Sequence, residues 1–292
     1  MQNFLLNIKL LKTMHREKIR VGFQGEPGAY SEEAILSAFP NADPIGYRSF
    51  REVFDAIERN ECEYAVIPIE NSLEGAVGEV HDLLFEYPLM VRGEIILRVK
   101  HNLLALHGVT INMIKNVYSH PQALAQCSVF INRYKLNPIA VYDTAGAAKL
   151  LKEKNDKYSA AIASKRAADI YGLNILVEGI ENNTNNYTRF LIIGMEDIKK
   201  PTGSDKTSII FGVRHVPGAL YKALEPFAKR GINLTRIESR PSKRKPWEYL
   251  FYVDFEGHRL DEKVASALQE LQQVTSIIKI LGSYPISASQ HQ

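Results

Sequence analysis

The sequence predicts an α/β fold, a layered body followed by a smaller ferredoxin-like βαββαβ module. Three observations predict it. Short apolar runs alternate with helical patterns from Lys18 to about Gly194, helix-capping residues sit at the junctions, and the element order changes after a polar stretch from Glu196 to Asp205. The expected division is 1–17 as an N-terminal extension, 18–195 as the body, 196–206 as a linker, 207–284 as the module and 285–292 as a tail.

Ile19 to Phe23 reads as a strand and Ser31 to Phe39 as a helix. Tyr64 to Ile69 is the strongest strand, and Val77 to Phe85 follows as a helix. Asn116 to Ser119 precedes Pro121, well suited to a helix's first turn, so one helix is expected from there to about Tyr134. Ala140 to Tyr142 leads into Asp143 and Thr144, good N-cap types, and a helix to Lys154. Ala160 to Ala163 leads through Ser164 to a helix ending at Tyr171. The repetition implies a mostly parallel sheet with its strand-to-helix loops gathered at one edge, where helix N-termini suit an anion. In the module the expected order is strand Thr207–Val213, helix Pro217–Lys229, strand Ile232–Glu238, strand Glu248–Phe255, helix Asp261–Leu271 and strand Ser276–Leu281.

Composition excludes several classes. Thirty-six basic and 33 acidic side chains leave a formal charge of +3, too even for a nucleic-acid footprint. Lys243-Arg244-Lys245 is short enough to be a solvated loop. Cys62 and Cys127 lie far apart, which argues against a disulfide framework, a zinc site or a redox dithiol. No apolar run reaches membrane-spanning length, and the first 15 residues lack a basic start and a cleavage site, so a cytoplasmic location is expected.

Four segments could carry chemistry. Gly22 to Ser31 is a Gly-rich strand-to-helix loop that fits neither a dinucleotide fingerprint nor a P-loop, and a plain tight turn explains it as well. Glu70, Asn71 and Ser72 follow the strongest strand and could form a polar pocket wall or a capping cluster. Ser119, His120 and Gln122 flank Pro121; the helix dipole would keep His120 neutral, and a structural histidine is the competing reading. In Asn186-Tyr187-Thr188-Arg189-Phe190, Arg189 enters an apolar strand, which requires an anionic partner, either a ligand or an internal carboxylate. No histidine or carboxylate pair has metal-ligand spacing.

Taken together, these segments resemble the prephenate dehydratase family from about Lys18 to Tyr284. The markers are Gly25-Glu26-Pro27-Gly28-Ala29-Tyr30-Ser31, Pro68-Ile69-Glu70-Asn71-Ser72, Ser119-His120-Pro121-Gln122-Ala123-Leu124, Asp143-Thr144-Ala145-Gly146-Ala147-Ala148 and Thr188-Arg189-Phe190. In the tail, Gly218-Ala219-Leu220 and Glu238-Ser239-Arg240-Pro241 resemble the two phenylalanine-site motifs of an ACT domain, with Tyr221 where the family commonly has valine.

The resemblance implies a body of two α/β subdomains, like a type-II periplasmic binding protein, with the active site between them. It implies cofactor-free loss of carbon dioxide and water from prephenate, giving phenylpyruvate in phenylalanine biosynthesis. Thr188 corresponds to the family's essential threonine, with Glu70 and His120 as candidate proton donors behind it; Asn71, Ser72, Ser119, Gln122, Arg189 and Phe190 are expected at the substrate. L-phenylalanine would bind between paired ACT domains, so the chain would be a homodimer at least and a homotetramer by resemblance. The rivals are an arogenate dehydratase and a non-catalytic amino-acid sensor. A fused chorismate mutase is not expected, because 17 residues precede the first strand.

Overall fold

The computed structural model describes residues 18–242 and 248–287; Lys243 to Lys245 and the N-terminal extension lie outside the described residues. The chain runs β1 (Arg20–Gln24), α1 (Tyr30–Ala38), β2 (Asp43–Tyr47), α2 (Phe50–Glu58), β3 (Tyr64–Asn71), β4 (Gly75–Ala76), α3 (Gly78–Glu86) and β5 (Met90–Arg98). It then crosses into β6 (Asn102–Ala105), β7 (Asn116–Ser119), α4 (Pro121–Gln126), α5 (Ser128–Arg133), β8 (Asn137–Ala140), α6 (Thr144–Lys154), β9 (Ser159–Ala163), α7 (Lys165–Tyr171) and β10 (Asn174–Val177). Strand β11 (Tyr187–Gly194) returns to the first sheet. The module follows as β12 (Asp205–Gly212), α8 (Ala219–Lys229), β13 (Leu234–Pro241), β14 (Tyr249–Glu256), α9 (Glu262–Val274) and β15 (Ile277–Pro285).

The body therefore has two sheets, ordered β2-β1-β3-β11-β5 with β4 beside β3, and β10-β6-β9-β7-β8. Four strands of each run in one direction, in line with the sequence expectation, but both sheets also carry antiparallel strands. Strand β11 returns from the other subdomain and inserts antiparallel between β3 and β5, while β6 runs antiparallel to β9 and β10. The double crossing, invisible in a local strand–helix pattern, causes the mixture. The single helix expected after Pro121 is two, broken at Cys127, whose ψ of 14° leaves the helical region. Both cysteines are buried, and burial pushes the Cys127 thiol up to about 12, so it is inert at neutral pH.

Strand β11 organises the molecule through its period of two. Phe190 and Ile192 pack with Val21, Phe23, Ile35 and Val66 under α1. Leu191 and Ile193 face the opposite way, into a core that continues through Leu83 and Leu84 of α3 to Ile210, Leu250, Tyr252 and Tyr284 of the module. The module's sheet, β13-β14-β12-β15, is thus covered by α8 and α9 on one face and by the body on the other.

Polar contacts reinforce that junction. Lys279 on β15 donates to the carbonyls of Leu84, Phe85 and Tyr87, capping the C-terminal end of α3. His81 on α3 donates from Nδ1 to Val77 O, and its Nε2 accepts from Arg236 of β13 at 2.8 Å. Burial, with Arg236 beside it, pushes the His81 imidazole down to about 4. An unfolded chain takes up this proton below about pH 6.5, and the folded chain only near pH 4. Stability from this group is therefore whole above about pH 6.5 and is lost as the pH falls towards about 4, by on the order of 3 kcal/mol. Urea midpoints taken between pH 7 and 4.5 should fall less steeply for His81→Gln; an identical slope contradicts the assignment.

Candidate active site

A cavity of about 430 Å³ lies between the two subdomains, within the usual range for a small-molecule site. The β1–α1 turn contributes Gly25, Tyr30 and Ser31; β3 contributes Pro68 and Asn71. Across the cleft, the β7–α4 turn contributes His120 and Gln122, and the β8–α6 turn contributes Asp143 and Thr144. Thr188 and Phe190 of β11 form the floor. Three helix N-termini therefore border one hollow.

The first loop reaches across to the second subdomain. Gly28 has φ +96°, and a Cβ there would stand 2.7 Å from the Cα of Ala167 in α7. Only glycine permits that approach. Ser164 Oγ donates to the Gly28 carbonyl at 2.6 Å, and Arg166 pairs with the buried Glu32 at 2.9 Å.

A β-bulge decides which polar groups see the cavity. Strand β11 pairs Arg189 with Glu70 but Phe190 with Pro68, leaving Ile69 as the extra residue. Below the bulge Pro68 faces the cavity; above it the alternation has changed phase, so Asn71 faces the cavity and Glu70 faces the module. Asn71 Oδ1 accepts the backbone N–H groups of Leu73 and Glu74, which aims its Nδ2 at Thr188 Oγ1, 3.0 Å away. Thr188 is 9% exposed and receives this bond on its oxygen, so its own O–H is left to donate into the cavity.

Of the residues expected at the substrate, Thr188, His120, Asn71, Gln122 and Phe190 come together around the cavity. Four do not. Glu70 pairs with Arg236 of β13 at 3.0 Å, on the far side of the sheet. Arg189 likewise points away from the cleft, to Glu94 at 2.7 Å, Asp254 at 2.5 Å and the Tyr284 hydroxyl at 3.0 Å. The internal-carboxylate alternative describes it. Burial alone would raise the Asp254 carboxyl, but the adjacent Arg189 and the Ser208 hydroxyl hold it below the usual range. Ser119 is fully buried and donates to Ile162 O at 2.6 Å. Ser72 pins the returning segment to β3, donating to Asn185 O and accepting from Tyr187 N.

His120 caps α4: its Nδ1 accepts the N–H of Gln122, so in the neutral ring the proton sits on Nε2. The cavity also contains residues not singled out from the sequence: Asp143, His101, Tyr30 and Gln126. Asp143 had been read only as a helix cap, which it is, accepting from Gly146 N; it also accepts from Glu26 N across the cleft at 3.4 Å. Burial pushes its carboxyl up. Tyr30 lay within a quoted motif, whereas His101 and Gln126 carried no local signal.

In the module, a smaller hollow of about 150 Å³ is lined by Ala219 and Leu220 with Val213, Val216, Tyr249 and Phe251 among others. Gly218 caps α8 at φ +77°. Ser239 and Pro241 lie opposite Phe251 and Tyr249 on the same sheet face. Arg240 faces the other way, to Asp82 at 3.4 Å, and Glu238 shares that face by alternation. Tyr221 is exposed and is not part of the lining.

Residues 21–198 match the family model described as prephenate dehydratase, and residues 207–273 match that of the ACT domain. An Arabidopsis thaliana protein named arogenate dehydratase/prephenate dehydratase 2, chloroplastic, is 45% identical over 93% of this chain and 74% of its own length. The bifunctional chorismate mutase/prephenate dehydratase of Aquifex aeolicus is 44% identical over 92% of this chain and 74% of its own. Among solved structures, the prephenate dehydratase of Arthrobacter aurescens in complex with L-Phe has a TM-score of 0.86 at 32% identity, covering 94% of this chain and 91% of that one. GqqA, described as a novel type of quorum quenching acylase, has a TM-score of 0.88 at 37% identity, covering 93% of this chain and all of that one. With the family model spanning the cleft-forming body and the ACT model the appended module, the chain belongs to the prephenate dehydratase family.

Proposed function

We propose that the chain converts prephenate to phenylpyruvate, carbon dioxide and water, and that L-phenylalanine bound at the ACT module restrains it. The observation that carries this reading is the Thr188 hydroxyl, facing the cavity with its oxygen already engaged by Asn71. In this reaction the C–C bond to the departing carboxylate breaks, its electron pair moves through the ring, and the C–O bond at the opposite ring carbon breaks. One proton is taken up by the leaving hydroxide, and the ring becomes aromatic. The chemistry thus asks for a donor at the hydroxyl and for no base.

Thr188 supplies that donor directly, and His120 or Asp143 can replenish the proton from the cavity wall. The lining includes no lysine or arginine. The remaining carboxylate is held instead by N–H groups at the starts of α1, α4 and α6 and by neutral polar side chains such as Gln122 and Thr144. Apolar Phe50, Val77, Val99 and Phe190 border the same space and favour the carboxylate that sheds its charge as carbon dioxide.

A second reading has an observation in its favour. Among the described residues Asp143 is the one carboxylate in the cavity lining, and it could accept the ammonium of arogenate, the amino analogue. Turnover measured side by side decides between them: phenylpyruvate from prephenate at the higher kcat/KM supports the first, and phenylalanine from arogenate at the higher kcat/KM supports the second. Turnover of neither contradicts both.

For regulation, we assign L-phenylalanine to the hollow at Ala219 and Leu220, completed by the Glu238–Pro241 strand of a second copy, so the working form is at least a dimer. Added L-phenylalanine should lower the dehydratase rate; an unchanged rate overturns the regulatory half. No helix among the described residues is long and apolar enough to cross a membrane.

A further inference from the structure

Behind Thr188, the cavity floor holds a chain of hydrogen bonds whose direction is set from Asn71 to His101. Asn71 uses its Oδ1 on two backbone N–H groups, so its Nδ2 donates both to Thr188 Oγ1 and to Asn186 Oδ1, at 2.8 Å. With that oxygen engaged, Asn186 Nδ2 donates to Gln126 Oε1 at 2.9 Å. Gln126 Nε2 is directed at Glu74 Oε1, 3.2 Å away. Gln126 Oε1 therefore accepts a second time, from His101 Nε2 at 2.9 Å, which requires a proton on that nitrogen. In the neutral ring Nδ1 is then an acceptor; the Tyr30 hydroxyl lies 2.9 Å from it and 2.9 Å from the Lys100 carbonyl, and its one proton serves either. Between Asn71 and His101, reversing any one link would set two donors or two acceptors against each other.

The chain also spans the cleft. Tyr30, Asn71 and Thr188 belong to the first subdomain, Gln126 to the second, and His101 and Asn186 to the two crossing segments.

We propose that His101 is a positioning residue for the dehydration: its Nε2–H holds Gln126 in the orientation that, through Asn186 and Asn71, leaves the Thr188 O–H free for substrate. This rests on the dehydratase reading above. The charged and titratable groups around His101 are Tyr30, whose ring meets it edge-on at 5.6 Å, and Glu181, which accepts the His101 backbone N–H at 3.0 Å. Burial pushes the imidazole down, with Gln126 and Glu181 opposing, which favours the neutral ring.

Two measurements on the full chain test it. The ¹⁵N spectrum of the histidine-labelled protein at neutral pH should show His101 neutral with the proton on Nε2, assigned by loss of its signals in His101→Gln. A proton on Nδ1 alone overturns the proposal, whether or not the chain turns over prephenate, so the relay and the function fail separately. Kinetically, His101→Gln retains an N–H donor towards Gln126 and should keep kcat within about threefold. His101→Glu presents an acceptor there; it should lower kcat about tenfold or more at neutral pH with little change in KM, and regain activity in acid as the carboxyl becomes a donor. Equal kcat for the two variants at neutral pH also overturns it.

Discussion

Replacing Thr188 by valine, which keeps the shape and removes the hydroxyl, should lower kcat on prephenate by about 10²- to 10⁴-fold, the usual worth of a positioned proton donor. KM should change by less than about threefold, because the hydroxyl acts on the leaving group and not on the carboxylates. The substitution should cost little in folding. Asn71 Nδ2 keeps its bond to Asn186 Oδ1, and the N–H released from Thr188 has Tyr187 O at 3.2 Å, so no buried donor is stranded. Thr188→Ser should retain most of the rate. A rise in KM with kcat unchanged, or no loss at all, would refute a catalytic role.

Arg189→Met should destabilise the protein by about 3–5 kcal/mol, read as a fall in the urea midpoint, because it breaks a buried ion cluster rather than a surface pair. Arg189 and Lys206 stand against Glu94 and Asp254, with all four side chains at least 89% buried. Lys206 Nζ reaches both Glu94 oxygens at 2.9 and 3.0 Å. Removing Arg189 leaves one uncompensated negative charge in a site where the ACT strands meet the strand that carries Thr188. The exposed pair Arg51–Glu86, 2.8 Å apart, offers the contrast: Arg51→Met should leave the urea midpoint nearly unchanged. A midpoint unchanged by Arg189→Met would mean that the cluster contributes nothing to the union of body and module.

Those two neighbours on β11 show what the sequence could and could not convey. Period-two alternation places Thr188 and Phe190 on one face and Arg189 on the other, so the expectation that all three meet the substrate conflicted with strand geometry from the start. Glu70 and Asn71 are different. Simple alternation from Pro68 would put Glu70 in the cavity, and only the bulge at Ile69, a property of pairing with a strand more than a hundred residues away, exchanges the two. Asp143 was legible as a cap because capping is local, but its place in the cavity depends on the second subdomain's position. His101 and Gln126 become meaningful only as partners of each other. The α/β body and the βαββαβ module were readable because helix and strand periodicity, caps and turns are encoded locally; the body's division into two subdomains came from the family resemblance, and the antiparallel insertion of β11 was not readable.

The account depends most on the direction of the hydrogen bond between Asn71 and Thr188, and the pH–rate profile of Asn71→Asp tests that direction. Aspartate still accepts the Leu73 and Glu74 N–H groups, but when ionised it offers Thr188 an acceptor and draws the hydroxyl away from substrate. After subtraction of the uncatalysed rate, kcat should be strongly reduced at neutral pH and should rise as the pH falls and the carboxyl becomes a donor, a limb absent from the wild type. A variant that matches the wild type across the pH range, or loses its remaining activity in acid, would contradict the assignment of Thr188 as the proton donor.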